Sequence, residues 1–126
     1  MKFQPDTLDG TNVITRQDAT RVWVASTVFS HSVLVPNRGE VLPWAADSLA
    51  ALTPAHFDRI ATLRPEVVIF GSGQRLRFVP PALLRGLMAQ RIGVETMDTA
   101  AACRTYNVLA SEGRVVVAAL LLEKPA

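Results

Sequence analysis

The sequence predicts an α/β domain built on a largely parallel sheet, and three observations lead there. From residue 65 onward, apolar strand-like runs alternate with amphipathic segments in the order strand, turn, helix, strand, helix, strand, a pattern that right-handed crossovers turn into a layered sheet. Hydrophobic residues make up 49% of the chain, which supplies a well-buried core rather than a disordered segment. The length of 126 residues suffices for one core and is short for two, so residues 1–126 are read as a single domain.

The first third is strand-like. Residues 13–15, 21–25 (RVWVA) and 28–36 (VFSHSVLVP) alternate apolar and polar positions, as antiparallel strands with one wet face do. They should add strands or a hairpin to the sheet, and residues 28–36 could form an edge that pairs with a second copy. Two short helices are expected next, at residues 45–52 and 54–63. Thr53 and Pro54 begin the second: a hydroxyl can cap free backbone N–H groups and proline suits the first turn. Phe57, Ile60 and Leu63 fall on one face of it, and Trp44 is placed to cover that face. Residues 66–70 then read as a buried strand, 81–90 as a helix, 93–97 as a strand, 98–111 as a helix and 114–122 as the last strand.

Composition narrows the function. Cys103 is the only cysteine, so an internal disulfide and a cysteine-based metal cage are both excluded, and its alanine-rich surroundings suit a buried thiol. His31 and His56 have no ligand-spaced companions, and no metal or other cofactor is expected. The longest apolar run, residues 115–122, is far below the ~18 residues of a membrane span. The first twelve residues carry no targeting pattern, so the expected location is cytoplasmic. Five arginines (Arg64, Arg75, Arg77, Arg85 and Arg91) between residues 64 and 91 face one acid in the sequence pattern, Glu66, so one region should be positive.

The stretch VVIFGSGQR, residues 67–75, runs a strand into a Gly-X-Gly turn. A dinucleotide fingerprint needs a further glycine where Leu76 stands, a P-loop needs Gly-Lys-Ser/Thr, and a nucleophile elbow needs glycines where Phe70 and Gln74 stand. What remains is a corner at the carboxyl end of a parallel strand, where exposed N–H groups commonly meet ligands. Gly71, Ser72, Gly73 and Gln74 are therefore candidate ligand-binding residues. Asp98 and Thr99, at the start of the next helix, would lie beside them if both turns open at one sheet edge. Arg104 could then hold an anion, and Arg104, Asn107 and Ser111 would form a polar stripe. None of these residues is read as catalytic.

Beyond these residues, the sequence resembles the Mth938-like domain family (DUF498), which includes the mitochondrial respiratory complex I assembly factor 3 proteins. The resemblance rests on FGSGQRLRFVPP at residues 70–81 and GVETMDTAAACRTYNVLASEGRVVVAALL at residues 93–121. It implies a three-layer α/β fold with a mixed central sheet, flanking helices and an additional β-hairpin layer, no established catalysis, and protein partners in assembly. A free-standing, bacterial-type member is expected. The leading functional reading is a non-enzymatic interaction or assembly module with a protein partner. The second is a binder of a small, anionic ligand, or an enzyme, using Gly71 to Gln74 with Asp98, Thr99 and Arg104. Nucleic-acid binding is the least favoured, because the aromatics suit a core better than a stacking platform.

Overall fold

The computed structural model describes residues 10–123. Strands β1 (Ile14–Gln17), β2 (Val22–Val24) and β3 (Thr27–Phe29) form a small antiparallel sheet in that order. A five-stranded sheet contains β4 (Val33–Pro36), β5 (Leu42–Pro43), β6 (Val67–Gly71), β7 (Gly93–Met97) and β8 (Val116–Leu120) in the order β5-β4-β8-β6-β7. β6 is parallel to both β7 and β8, whereas β4 runs antiparallel to β5 and β8. The sheet is thus mixed, as the family resemblance implies, and only its second half obeys the parallel reading of the strand-helix alternation.

The strands are apolar at successive positions because both faces of the sheet are covered. Val67 and Ile69 of β6, Val116, Ala118 and Leu120 of β8, and Val33 and Val35 of β4 point to one core. Val68, Phe70, Val117, Ala119 and Leu34, the alternate residues, point to the other. The first core is closed by α3 (Thr99–Ser111) and the small sheet. The second is closed by α1 (Pro54–Ala61), α2 (Arg85–Ala89) and Trp44. In the second core Trp44, Phe57 and Phe70 meet edge to face, with ring centroids 5.7–6.1 Å apart, and the indole N–H donates to the His56 carbonyl.

Several sequence expectations need correction. The single strand expected at 28–36 is two strands in different sheets, broken at Ser30–Ser32, and β4 is interior rather than an edge. Ser32 explains the break: its buried hydroxyl accepts from the Leu122 N–H, and its carbonyl accepts from the Trp44 N–H, which fixes the chain where it changes sheets. The helix expected at 45–52 is one 3-10 turn, Leu49–Ala51, capped by Ser48. It cannot run on into α1, because Thr53 precedes a proline and is held extended (φ −131°, ψ 167°). β5 was not foreseen at all. The helix expected at 81–90 begins as a 3-10 segment, Pro81–Leu84, before α2.

At α1, Pro54 occupies the first turn as expected, but the cap owes more to His56 than to the Thr53 hydroxyl. His56 Nδ1 accepts from the Thr53 N–H at 3.0 Å, which leaves the proton on Nε2 to donate to the Ala45 carbonyl at 2.7 Å. Among the described residues no helix is long and apolar enough to cross a membrane. Residues 1–9, on which the targeting expectation rests, lie outside the described residues.

Candidate functional site

The two turns meet as the parallel register requires. β6 and β7 end side by side, Gly71 opposite Met97, so the loop after each opens at the same sheet edge. The Thr99 N–H donates to the Gly73 carbonyl at 2.8 Å, and the Gly73 N–H donates to Thr99 Oγ1 at 2.9 Å. Thr99 Oγ1 in turn donates to the Leu121 carbonyl at 3.1 Å. A buried threonine thus locks the GSG turn, the start of α3 and the chain just after β8 to one another.

The glycines have separate reasons to be glycine. A Cβ at Gly71 would lie 3.0 Å from Thr99 Cα and 3.1 Å from Ala102 Cβ, so its hydrogen permits the close seating of α3 on β6. Gly73 adopts φ +104°, in the region where L side chains are strained.

Ser72, a candidate ligand-binding residue, is wholly buried. Its hydroxyl lies 2.7 Å from the Arg75 carbonyl, to which it donates, and accepts from the Arg77 N–H at 2.9 Å. The following loop is therefore wrapped around one oxygen. The Arg77 guanidinium donates to the Ser72 carbonyl and forms an ion pair with Glu123, whose other oxygen accepts from the Leu49 N–H. Asp98 caps α3, accepting from the Ala101 N–H at 2.8 Å.

Between this corner and the β1–β2 turn lies a cavity of about 320 Å³, walled by Gly73, Gln74, Asp98, Thr99 and, from the hairpin, Gln17 and Asp18. Gln74 is exposed at its rim. Gly71, Ser72, Gly73, Gln74, Asp98 and Thr99 are thus assembled at one edge. Gly71, Ser72 and Arg104 are not among the residues that wall the cavity: the first two are buried behind the turn, and Arg104 is exposed farther along α3. Sequence reasoning missed Gln17 and Asp18. The available signal was Asp18-Ala19-Thr20-Arg21, since an aspartate before a tight turn accepts from N–H groups two and three residues on, as Asp18 does. Arg21 and that backbone bonding hold the Asp18 carboxyl below its ordinary range.

Farther along α3 the motif residues also bond inward. The Asn107 carboxamide accepts from the Ile14 N–H at 2.9 Å and donates to the Ile14 carbonyl at 2.8 Å, taking the place of a neighbouring strand. The Tyr106 hydroxyl lies 2.8 Å from the Asn12 carbonyl and 3.0 Å from that of Pro36, and burial pushes its pKa up. Of the polar stripe expected for Arg104, Asn107 and Ser111, Arg104 and Ser111 are exposed, but Asn107 is turned inward as a tether between layers. Cys103 is buried as expected, and burial pushes its thiol up to about 12 against the small opposing influence of Arg104. Among the described residues no group of three or more His, Cys, Asp or Glu could hold a metal ion.

A mixed sheet with α1 and α2 on one face, and α3 beside a small antiparallel sheet on the other, defines an α/β protein of the Mth938-like class. A crystal structure of a Bordetella parapertussis protein superposes with a TM-score of 0.85 at 38% identity, covering 90% of this chain and 98% of that one. A solution structure from Bordetella pertussis, described as a Mth938-like domain, gives 0.84 at 31% identity, covering 100% and 95%. The family model described as protein of unknown function (DUF498/DUF598) matches residues 14–121, and the chain belongs to that family. Among curated relatives, the Bos taurus protein called NADH dehydrogenase (ubiquinone) 1 alpha subcomplex assembly factor 3 is 38% identical over 96 residues. The match takes in 75% of this chain and 51% of that protein, so it spans about half of the relative's length.

Proposed function

We propose that this chain is a non-enzymatic interaction module that serves the assembly of a respiratory or other membrane protein complex, acting as a single domain over residues 1–126. The observation that carries the reading is the use of the corner's polar atoms. Ser72 Oγ, Thr99 Oγ1 and an Asp98 carboxylate oxygen are each engaged in hydrogen bonds within the fold, so the motif builds a rigid body rather than a reacting centre. Similarity to proteins named as assembly factors for NADH dehydrogenase supports the same direction and points to a protein partner. The test is deletion of the gene from the organism that carries it, followed by native-gel separation of its respiratory complexes. Accumulation of an incomplete NADH dehydrogenase, rescued by the intact chain, is expected. Full-size, fully active respiratory and other membrane protein complexes throughout the deletion strain would overturn the reading.

The cavity beside α3 favours a second reading, a small-ligand site using Gly73, Gln74, Asp98 and Thr99, with Gly71 and Ser72 buried behind them and shaping the turn. Asp18 and Asp98 both line it, which counts against an anion and for a neutral polar or cationic ligand. Arg104 is a poor candidate for that site, as it does not line the cavity. An amide-resolved NMR titration with anions, nucleotides, amines and polyols tests this reading. Saturable shifts confined to residues 71–74 and 98–100 would favour it, and an unperturbed spectrum across the panel would remove it.

A further inference from the structure

We propose that the loop following the GSG turn, residues 74–80, is the docking element of this chain, and that it receives an acidic, apolar-faced segment of another protein. The proposal rests on the interaction-module reading and adds the surface and the partner's chemistry. Phe78 is 70% exposed, the highest value for a large hydrophobic among the described residues, and Leu76, two positions earlier, is 53% exposed. Scattered apolar residues on a surface need no explanation, but a loop that is held in shape while presenting two of them does.

The loop is held at both ends. Ser72 Oγ bonds to the Arg75 carbonyl and the Arg77 N–H, so the backbone from 72 to 77 is drawn around a buried hydroxyl. Arg77 is fixed to the Ser72 carbonyl and to Glu123. Val79 is buried in the second core, and Pro80 and Pro81 restrict the exit of the chain. Leu76 and Phe78 are therefore presented by a preorganised frame, and binding through them loses little loop entropy.

Charge complementarity selects the partner. Residues 74–91 contain four arginines and no acid. Glu123 neutralises Arg77, and Asp58 of α1 packs against Gly86, whereas Arg75, next to Leu76 in the chain, is exposed and lines a shallow pocket with Gly73, Gln74, Arg77 and Glu123. An acid-free segment that exposes Leu76, Phe78 and Arg75 fits an apolar strip flanked by carboxylates, with arginine able to grip a carboxylate through two N–H groups. Nucleic acid is a poorer fit, because backbone-tracking sites set several aromatic faces along a cationic groove, and this loop offers one aromatic ring.

The test places the photo-crosslinking residue p-benzoylphenylalanine at position 78, at position 28 on β3, or at position 108 on α3, in the full chain inside the cells that make it. Val28 and Val108 are 49% and 56% exposed and serve as controls. Irradiation is expected to give one protein adduct from position 78, joined through a peptide with more Asp and Glu than Lys and Arg. Its yield should fall several-fold when Arg75→Glu is added. A basic peptide, a lipid or nucleic-acid adduct, a second copy of this chain, or indifference to Arg75→Glu would overturn the proposal. Protein adducts from 28 or 108 but not from 78 would overturn the docking face and leave the assembly reading standing. No adduct from any of the three positions would count against both. Leu76→Ala and Phe78→Ala should leave the melting temperature unchanged, and a clear fall would instead make the two side chains part of the fold.

Discussion

Gly71 shows how much one missing carbon positions. It ends a strand whose other residues are large and apolar, and α3 sits so close above it that Thr99 can reach the Gly73 N–H and the Leu121 carbonyl together. Gly71→Ala is expected to cost about 1–3 kcal/mol, the range for a methyl group forced into a packed contact, read as a lower urea midpoint with an unchanged slope. The clash is with the Thr99 main chain, so a smaller residue at 102 relieves only part of it, and Gly71→Ala with Ala102→Gly should remain below the parent protein. From the sequence, Gly71 and Gly73 read as one permissive turn, yet Gly73 is required by a positive φ and Gly71 by an approach from a residue 28 positions later. The first requirement is local and the second is tertiary, which is why no spacing rule separates them.

Among the elements, the small antiparallel sheet is tied to α3 by the Asn107 carboxamide as well as by its buried side chains Ile14, Val22 and Val24. β1 is an edge strand, and the Asn107 carboxamide bonds to the main chain of Ile14 at its start. Asn107→Ala removes both hydrogen bonds and leaves an N–H and a carbonyl short of partners, a cost of about 1–3 kcal/mol. Hydrogen exchange should localise it: amides of β1 and β2 should exchange faster while those of β6 and β8 keep their protection. Equal acceleration throughout would show that the small sheet and the main sheet unfold as one unit. The strands and helices after residue 65 were legible in the sequence because each is a continuous run with one period. Residues 28–36 were not, because Ser30-His31-Ser32 passes as the polar half of an alternating strand, whereas Ser32 is buried at a change of sheets. Asn107 and Tyr106 were visible as part of a specific motif, but helical spacing assigned Asn107 to a wet stripe. Their real partners, Ile14 and Asn12, are more than ninety residues away in the chain.

For the whole molecule, alkaline pH should be the weak side. Burial raises the proton affinity of both Cys103 and Tyr106, so the unfolded chain gives up protons that the folded chain retains. The stability they contribute is complete below the ordinary thiol value of 9.0 and is lost as pH climbs from there toward about 12. Urea midpoints should therefore fall between pH 8.5 and pH 10.5 (about the window in which an unfolded thiol and then a phenol ionise). Cys103→Ala should flatten the early part of the decline, and an unchanged slope in that variant would show that Cys103 is not its source. Exposed carboxylates act at the other end of the scale. Arg114 holds the Glu66 carboxyl below its ordinary range, so that contribution is present above the unfolded value and disappears as the solution is acidified through the folded one.

β8 lies between β4 and β6, and among the described residues it is the last strand in the chain order. A growing polypeptide that has reached Arg114 has therefore made every other strand of the main sheet but has nothing to join β5-β4 to β6-β7. Each pair then presents a raw edge where β8 belongs. Synthesis stalled or cut short at that point would release a sticky intermediate rather than a smaller version of the fold, while the arrival of five residues, Val116–Leu120, closes both gaps together.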